Sequence, residues 1–286
     1  MATAYLPPEE LTAIARAADE AGYHGLSLAD HVVNLEELTT DYPYTVDGNR
    51  RWEPFTPWVD PLVAIGSLGA ITERLHFFTN IFVLPMRNPF TVAKAVATAS
   101  AFTGGRVSLG IGMGWCEEEF ALVEAPFRQR GARADEMLEV LTALWSGEWV
   151  EHHGRFYDFP RLEMTPKPAG PVQIYVGGLS DAALRRAARH DGWISDLIST
   201  EHAAQYRSTL EAHRAELGRT GDFSMIVSLN DAVTVDQFRA AEDVGVTDLL
   251  TMPWVFYSGF TDDLQQKIDG TYRFAEDILA HFQDGS

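Results

Sequence analysis

A single cysteine, Cys116, stands among 286 residues. It excludes an intrachain disulfide and any cysteine cluster that could hold zinc or an iron–sulfur centre. Redox chemistry would therefore have to come from a bound organic cofactor. Positive charge is also scarce, with 22 Lys and Arg against 41 Asp and Glu and a formal net charge of −19. Nucleic acids and anionic membranes are held by clustered cations, so neither is an expected partner. No apolar run approaches the roughly 20 residues that cross a bilayer; Phe77 to Pro85 is typical of the longest. The opening MATAYLPPEEL lacks the basic stretch and apolar core of a secretory signal, so the expected location is the cytoplasm. Absent too are a G-x-S-x-G elbow and an H-E-x-x-H helix. The adjacent His152 and His153 would point to opposite faces of an extended segment, and no metal is expected.

What the chain does have is a repeated order of short β-rich runs followed by longer amphipathic ones. Hydrophobic residues make up 46% and charged residues 22%, enough for a large core under a wetted surface. Eight candidate strands fall near Thr3–Leu6, Gly25–Ala29, Leu75–Leu84, Arg106–Gly112, Val172–Gly177, Gly192–Ile198, Phe223–Leu229 and Thr247–Met252. Each precedes a helical pattern. In the first, Pro7 and Pro8 suit a helix start, Leu11, Ile14, Ala15 and Ala18 recur at helical spacing, and Gly22 ends the run. Further helices are expected over Pro57–Ile71, Pro89–Phe102, Ala132–Trp145, Asp181–His190, His202–Leu217, Val235–Val244 and Asp262–Phe282. Eight such units predict one (β/α)8 TIM barrel over residues 1–286, rather than an open doubly wound sheet. Insertions are expected near 32–56, at the face that carries barrel chemistry, and near 146–171, where HHGRFYDFP suits a strand pair used for packing or subunit contact.

Barrel enzymes place their chemistry at the C-terminal ends of the strands. The second predicted strand ends in Asp30-His31, where the carboxylate would fix the orientation of the imidazole and raise its basicity for proton transfer or, equally, the pair would cap a turn. Thr79 and Asn80 interrupt the apolar third strand, as a bulge or as a ligand contact. The fourth strand ends GIGMGWCEEEF, where Gly112 and Gly114 would let backbone approach a flat ring and Trp115 would wall it. Rossmann spacing would need glycine where Trp115 stands, so dinucleotide binding of that kind is not expected. After the fifth strand, Gly177, Gly178, Leu179 and Ser180 open a helix, suiting either a phosphate or an ordinary N-cap. Trp193 and Asp196 follow the sixth strand within reach of the same face, Trp193 also suiting the core.

The stretches GYHGLSLADHVV, RLHFFTNIFVLPMRNPF, GGRVSLGIGMGWCEEEF and PVQIYVGGLSDAALRR resemble the luciferase-like monooxygenase superfamily, and within it the branch of deazaflavin (coenzyme F420) dependent oxidoreductases. The resemblance covers most of residues 1–195. It implies a barrel, commonly a homodimer, that holds a tricyclic ring at the strand ends. It implies that Asp30 and His31 lie beside the ring, with His31 as acid or base, and that Ile81 follows Asn80 through a non-prolyl cis peptide that buttresses the ring. It also implies that Gly177 to Ser180 hold the cofactor phosphate. The sugar-phosphate dehydrogenases of the branch carry a glutamate where this chain has Trp115, a departure that does not support their substrate here. Arg87, Arg155 and Arg161 are the local cations available to offset the acidic charge toward an anionic coenzyme.

The leading expectation is a hydride-transferring enzyme acting on a small organic substrate, with Trp52, Trp58, Trp115 and Trp254 as candidates for an aromatic pocket or as core residues. A flavin mononucleotide (FMN) monooxygenase of the same fold is the nearest alternative. A protein that binds flavin or deazaflavin without turnover is an alternative of another class.

Overall fold

The computed structural model describes residues 1–282. Helix α1 (Pro8–Glu20) buries Leu11, Ile14, Ala15 and Ala18, the residues that the helical spacing singles out. It leads into β1 (Gly25–Leu28), buried along its whole length. A long loop then reaches α2 (Pro61–Gly69), whose start is set by Asp60: its carboxylate accepts the Leu62 and Val63 N–H groups at 3.0 Å. The predicted start at Pro57 is four residues early, because the capping Asp60 with Pro61 behind it is the stronger signal.

The predicted strand Leu75–Leu84 is divided into β2 (His76–Thr79) and β3 (Phe82–Val83), joined through a cis peptide between Asn80 and Ile81. Helix α3 (Pro89–Thr103) follows, capped by Asn88 and ended by Gly104 at φ 66°. Next come β4 (Val107–Gly112), the short helix α4 (Glu117–Leu122) and α5 (Arg130–Trp145). The expected strand pair is an antiparallel hairpin, β5 (Val150–His153) with β6 (Asp158–Leu162). Glu136 of α5 accepts the Phe156 and Tyr157 N–H groups at 2.9 and 2.8 Å, and Phe159 packs edge-on to Phe90. The hairpin thus covers the helical layer.

The remaining units are β7 (Ile174–Gly177), α6 (Asp181–Ala187), β8 (Gly192–Ile198), α7 (Thr200–Glu216), β9 (Ser224–Leu229), α8 (Val235–Asp243), β10 (Asp248–Leu249), α9 (Val255–Ser258) and α10 (Leu264–Asp277). The main sheet runs β1-β2-β4-β7-β8-β9-β10, with β3 also on β4, and all its pairings are parallel. It curls shut through the segment before α1. Ala2 bridges Ser27 in parallel, Ser27 N–H donates to Met1 O, and Ala2 N–H donates to Thr251 O, both at 2.8 Å. The chain is therefore a TIM barrel.

Two strand expectations need correction. The first barrel segment pairs at Ala2, not over Thr3–Leu6, because the chain turns at Tyr5 (φ 72°) to enter the Pro7-Pro8 helix start. The last ladder is confined to Asp248–Leu249, with flanking bonds from Thr247 N–H to Met225 O and Leu250 N–H to Val227 O. Among the described residues, no helix is long and apolar enough to cross a membrane.

Candidate active site

Beyond β1 the chain leaves the barrel through Ala29, Asp30 and His31, and the two ionisable neighbours diverge. Asp30 is buried; its carboxylate accepts the Val83 N–H at 2.8 Å and pairs with Arg87 Nη2 at 2.6 Å. Burial pushes this carboxyl above its ordinary range, with Arg87 and the Val83 N–H pulling the other way. The expectation that Asp30 orients His31 is thus corrected: its oxygens tie the end of β1 to β3 and the turn before α3. Successive side chains on an extended segment point to opposite sides, which sends the two residues to different partners.

The orienting carboxylate is Glu119 of α4. Its Oε2 lies 2.9 Å from His31 Nδ1, while Oε1 accepts the Val32 and Val33 N–H groups at 2.9 and 3.3 Å. Burial opposes ionisation of Glu119, but the bonds from His31, Val32 and Val33 outweigh it and hold the carboxyl below the usual range. A charged acceptor at Nδ1 assigns the ring proton to that nitrogen and leaves Nε2 free of it. His31 is 12% exposed, enclosed but within reach of a small ligand.

Aromatic rings surround the imidazole. Trp52 and Trp58 lie 4.8 and 4.9 Å from it between ring centroids, and Trp115 lies at 6.4 Å. Tyr42 packs edge-on to both Trp52 and Trp115. Trp52 Nε1 donates to Asn34 Oδ1 at 2.9 Å, which fixes the orientation of the amide. Asn34 Nδ2 and Trp58 Nε1 are then buried donors with no partner among the described residues. Each such donor costs about 1–3 kcal/mol unless a ligand or water accepts from it.

All but Trp115 of this enclosure comes from the loop between β1 and α2, which is fastened at both sides of the barrel mouth. On one side Glu118 accepts from the Thr39 N–H and hydroxyl at 2.7 and 2.6 Å and from the Thr40 N–H at 3.0 Å. On the other, Arg51 makes a two-pronged pair with Asp196 of β8 at 2.9 and 2.8 Å. The insertion expected near 32–56 is this cover. Trp254, also expected at the pocket, is buried instead against α10, where a Cβ on Gly270 would meet the Trp254 Cα at 2.5 Å.

The strand ends carry the remaining candidates. Thr79 is fully buried and donates its hydroxyl to Gly110 O at 2.6 Å, so it braces β4 and presents no group to a ligand. Asn80 and Ile81 share the cis peptide that the resemblance implies. Glycines 112 and 114 were expected to face a flat ring, and protein atoms occupy their empty sides instead. A Cβ on Gly112 would overlap Ile81 Cδ1, and one on Gly114 would meet Val83 and Phe120 at 2.6 and 2.7 Å. Gly177 accepts Ile81 from the other side, where a Cβ would meet Cγ2 at 2.7 Å. The notch between Gly112 and Gly177 thus seats Ile81, which stays half-buried as a shelf at the strand ends.

Beyond that shelf Gly178 takes φ 122°, a conformation that favours glycine, and its carbonyl accepts Trp193 Nε1 at 2.8 Å. Leu179 is half-buried, and Ser180 caps α6 by accepting the Ala183 N–H at 3.3 Å. Trp193 itself is core.

Sequence reasoning missed Glu119, Asn34 and the Arg51–Asp196 pair. A signal for Glu119 existed in the run Glu117-Glu118-Glu119 just past β4, on the barrel's catalytic face. The Arg51–Asp196 pair had none, since its partners lie 145 residues apart in the chain.

A family model described as luciferase-like monooxygenase matches residues 1–277. The chain is 39% identical to an uncharacterized protein of Mycobacterium tuberculosis over 280 residues, 97% of this chain and 95% of that one. It is 29% identical to the F420-dependent glucose-6-phosphate dehydrogenase of Nakamurella multipartita over 269 residues, 91% of this chain and 74% of the relative. Among solved structures, the coenzyme F420 dependent tetrahydromethanopterin reductase of Methanopyrus kandleri superposes with a TM-score of 0.76 at 13% identity, covering 99% and 98% of the two chains. This last likeness is one of fold.

Proposed function

Because the chain belongs to the luciferase-like monooxygenase family, we propose that it is a deazaflavin (F420) dependent oxidoreductase moving a hydride between cofactor and a small organic substrate. The observation that carries this reading is His31, held through Nδ1 by Glu119 and enclosed by Trp52 and Trp58 at the barrel mouth. A deazaflavin, when bound, supplies or accepts the hydride at C5 of its ring. The residues present suit such a group. Ile81, seated between Gly112 and Gly177, offers an apolar shelf for a flat ring, and the Gly177–Gly178–Leu179–Ser180 turn offers a glycine-shaped backbone and an exposed serine for the phosphate. The relative from Nakamurella, F420-dependent by name, supports the choice of cofactor.

This chain's own part is the proton and the enclosure. His31 gives a proton to the substrate oxygen from Nε2, or takes one there, and the ionised Glu119 stabilises the imidazolium form that the exchange requires. Trp52, Trp58 and Trp115 exclude water from that proton path. In an assay following oxidation of the reduced coenzyme, His31→Ala is expected to slow turnover about a hundredfold or more while changing coenzyme affinity little. Turnover equal to that of the unaltered protein would remove His31 from the mechanism.

The family description favours a second reading, an FMN-dependent monooxygenase built on the same site. Substrate-dependent oxygen consumption with reduced FMN, and none of the deazaflavin reaction, would select it.

A further inference from the structure

The charges around His31 restrict what can be bound there. The two guanidinium groups of its surroundings that pair with carboxylates, Arg87 and Arg51, are committed, and Arg50 of the same loop as Arg51 donates to Leu35 O at 2.8 Å. Arg87 is paired with Asp30 at 2.6 Å and lies over the Phe82 ring at 4.5 Å, while Arg51 is paired with Asp196 through two bonds. The nearest carboxylate, Glu119, has its bonds directed to His31 and the backbone of Val32 and Val33. An anionic ligand beside the imidazole would find Arg51 and Arg87 already paired, would face the Glu119 charge, and would lose its hydration among three indole rings.

The polar groups left over have one sign of demand. Trp58 Nε1 and Asn34 Nδ2 are buried donors without partners among the described residues, and both belong to the layer around His31. Trp58 is in ring contact with the imidazole, and Asn34 is hydrogen-bonded to Trp52, which also touches it. Donors in an apolar enclosure call for an uncharged acceptor oxygen, since leaving them unmade costs more than the bond itself yields.

We propose that the substrate is an uncharged, largely apolar ring compound whose carbonyl or hydroxyl oxygen is received by the Trp58 N–H, with His31 Nε2 beside it to exchange the proton, and not a phosphorylated or carboxylated one. This rests on the reading of the site given above and deepens it by naming the substrate class. It also separates this chain from the relative whose printed name specifies glucose 6-phosphate, because a phosphate calls for cations, and Arg51 and Arg87 are committed to carboxylates. Trp58 is the specificity-determining residue: its ring supplies a wall and its N–H the oxygen contact.

The test is a binding titration of the full chain, with and without the deazaflavin coenzyme, following quenching of tryptophan fluorescence. The probes are 1-tetralone, the same bicyclic ketone bearing a ring carboxylate, tetralin, and glucose 6-phosphate. The expected result is that 1-tetralone binds about tenfold or more tighter than its carboxylated analogue, and that glucose 6-phosphate does not compete with it. Trp58→Phe should weaken 1-tetralone about fivefold and leave tetralin, which has no oxygen, unchanged; equal weakening of both would reduce Trp58 to a packing residue and overturn its assignment. Carboxylate or phosphate binding as tight as that of the ketone would overturn the proposal, as would failure of the ketone to bind. The coenzyme is titrated separately: ketone binding without coenzyme binding would overturn the deazaflavin reading and leave the substrate class standing.

Discussion

Glu119 Oε2 stands 2.9 Å from His31 Nδ1, whereas Asp30, the neighbour of His31 in the chain, is bound to Arg87 and the Val83 N–H. Two carboxylates near one imidazole therefore have separate tasks, one fixing the ring and the other fixing the strands that carry it.

Glu119→Gln keeps the shape of the side chain but removes the charge that stabilises an imidazolium. It should lower kcat about tenfold to a hundredfold with little change in KM. Steady-state kinetics at saturating coenzyme measure this; a change in KM alone would assign Glu119 to binding.

Asp30→Asn should act on stability rather than on chemistry. It leaves the Arg87 guanidinium, 17% exposed, without its counter-charge, which costs about 3 kcal/mol for a pair this enclosed. Thermal melts should show a clear drop in Tm, while kcat per folded molecule stays near that of the unaltered protein. A large fall in kcat with an unchanged Tm would return Asp30 to the catalytic group.

The pH dependence of the cover follows from the same bonds. The Glu119 carboxyl is held below its ordinary value in the folded chain, so its contribution to stability is complete above the unfolded value of about 4.3 and is lost as pH falls through the folded value. Glu118, held low first of all by its bond from the Thr39 side chain, works in the same direction. The Tm difference between the unaltered chain and Glu119→Gln should be widest near neutrality and shrink as pH drops below about 4. A difference that widens in acid would reverse the assigned direction.

Much of the fold was legible in the sequence because it rests on periodicity. The spacing of Leu11, Ile14, Ala15 and Ala18, and the cap at Ser180, are local signals, and each of these elements forms where they point. The site was legible only in part. His31, Trp52, Trp58 and Trp115, each singled out in the sequence, lie together, but Glu119 lies 88 residues from its partner, and no local pattern records such a meeting. Trp254 shows the converse: an aromatic residue reads the same in sequence whether it walls a pocket or, as here, is packed under a helix glycine. Gly112 and Gly114 are places of close approach, but what approaches is Ile81, Val83 and Phe120 and not the flat ring expected there.

That packing gives a test by double substitution. Gly112→Ala would overlap Ile81 Cδ1 and should destabilise the chain by about 1–3 kcal/mol. Ile81→Val removes that carbon, so the double variant should recover most of the loss in denaturant melts. Simple additivity of the two effects would show that Ile81 does not sit in the Gly112 notch.

The most direct measurement of the central claim is a fluorescence titration of the purified chain with the deazaflavin coenzyme and, separately, with FMN, using Ser180→Ala to probe the phosphate turn. The account predicts tighter binding of the deazaflavin, weakened in Ser180→Ala. Preference for FMN would contradict the cofactor assignment and turn the search to oxygen-dependent chemistry, and failure to bind either would contradict the account of the site as a whole.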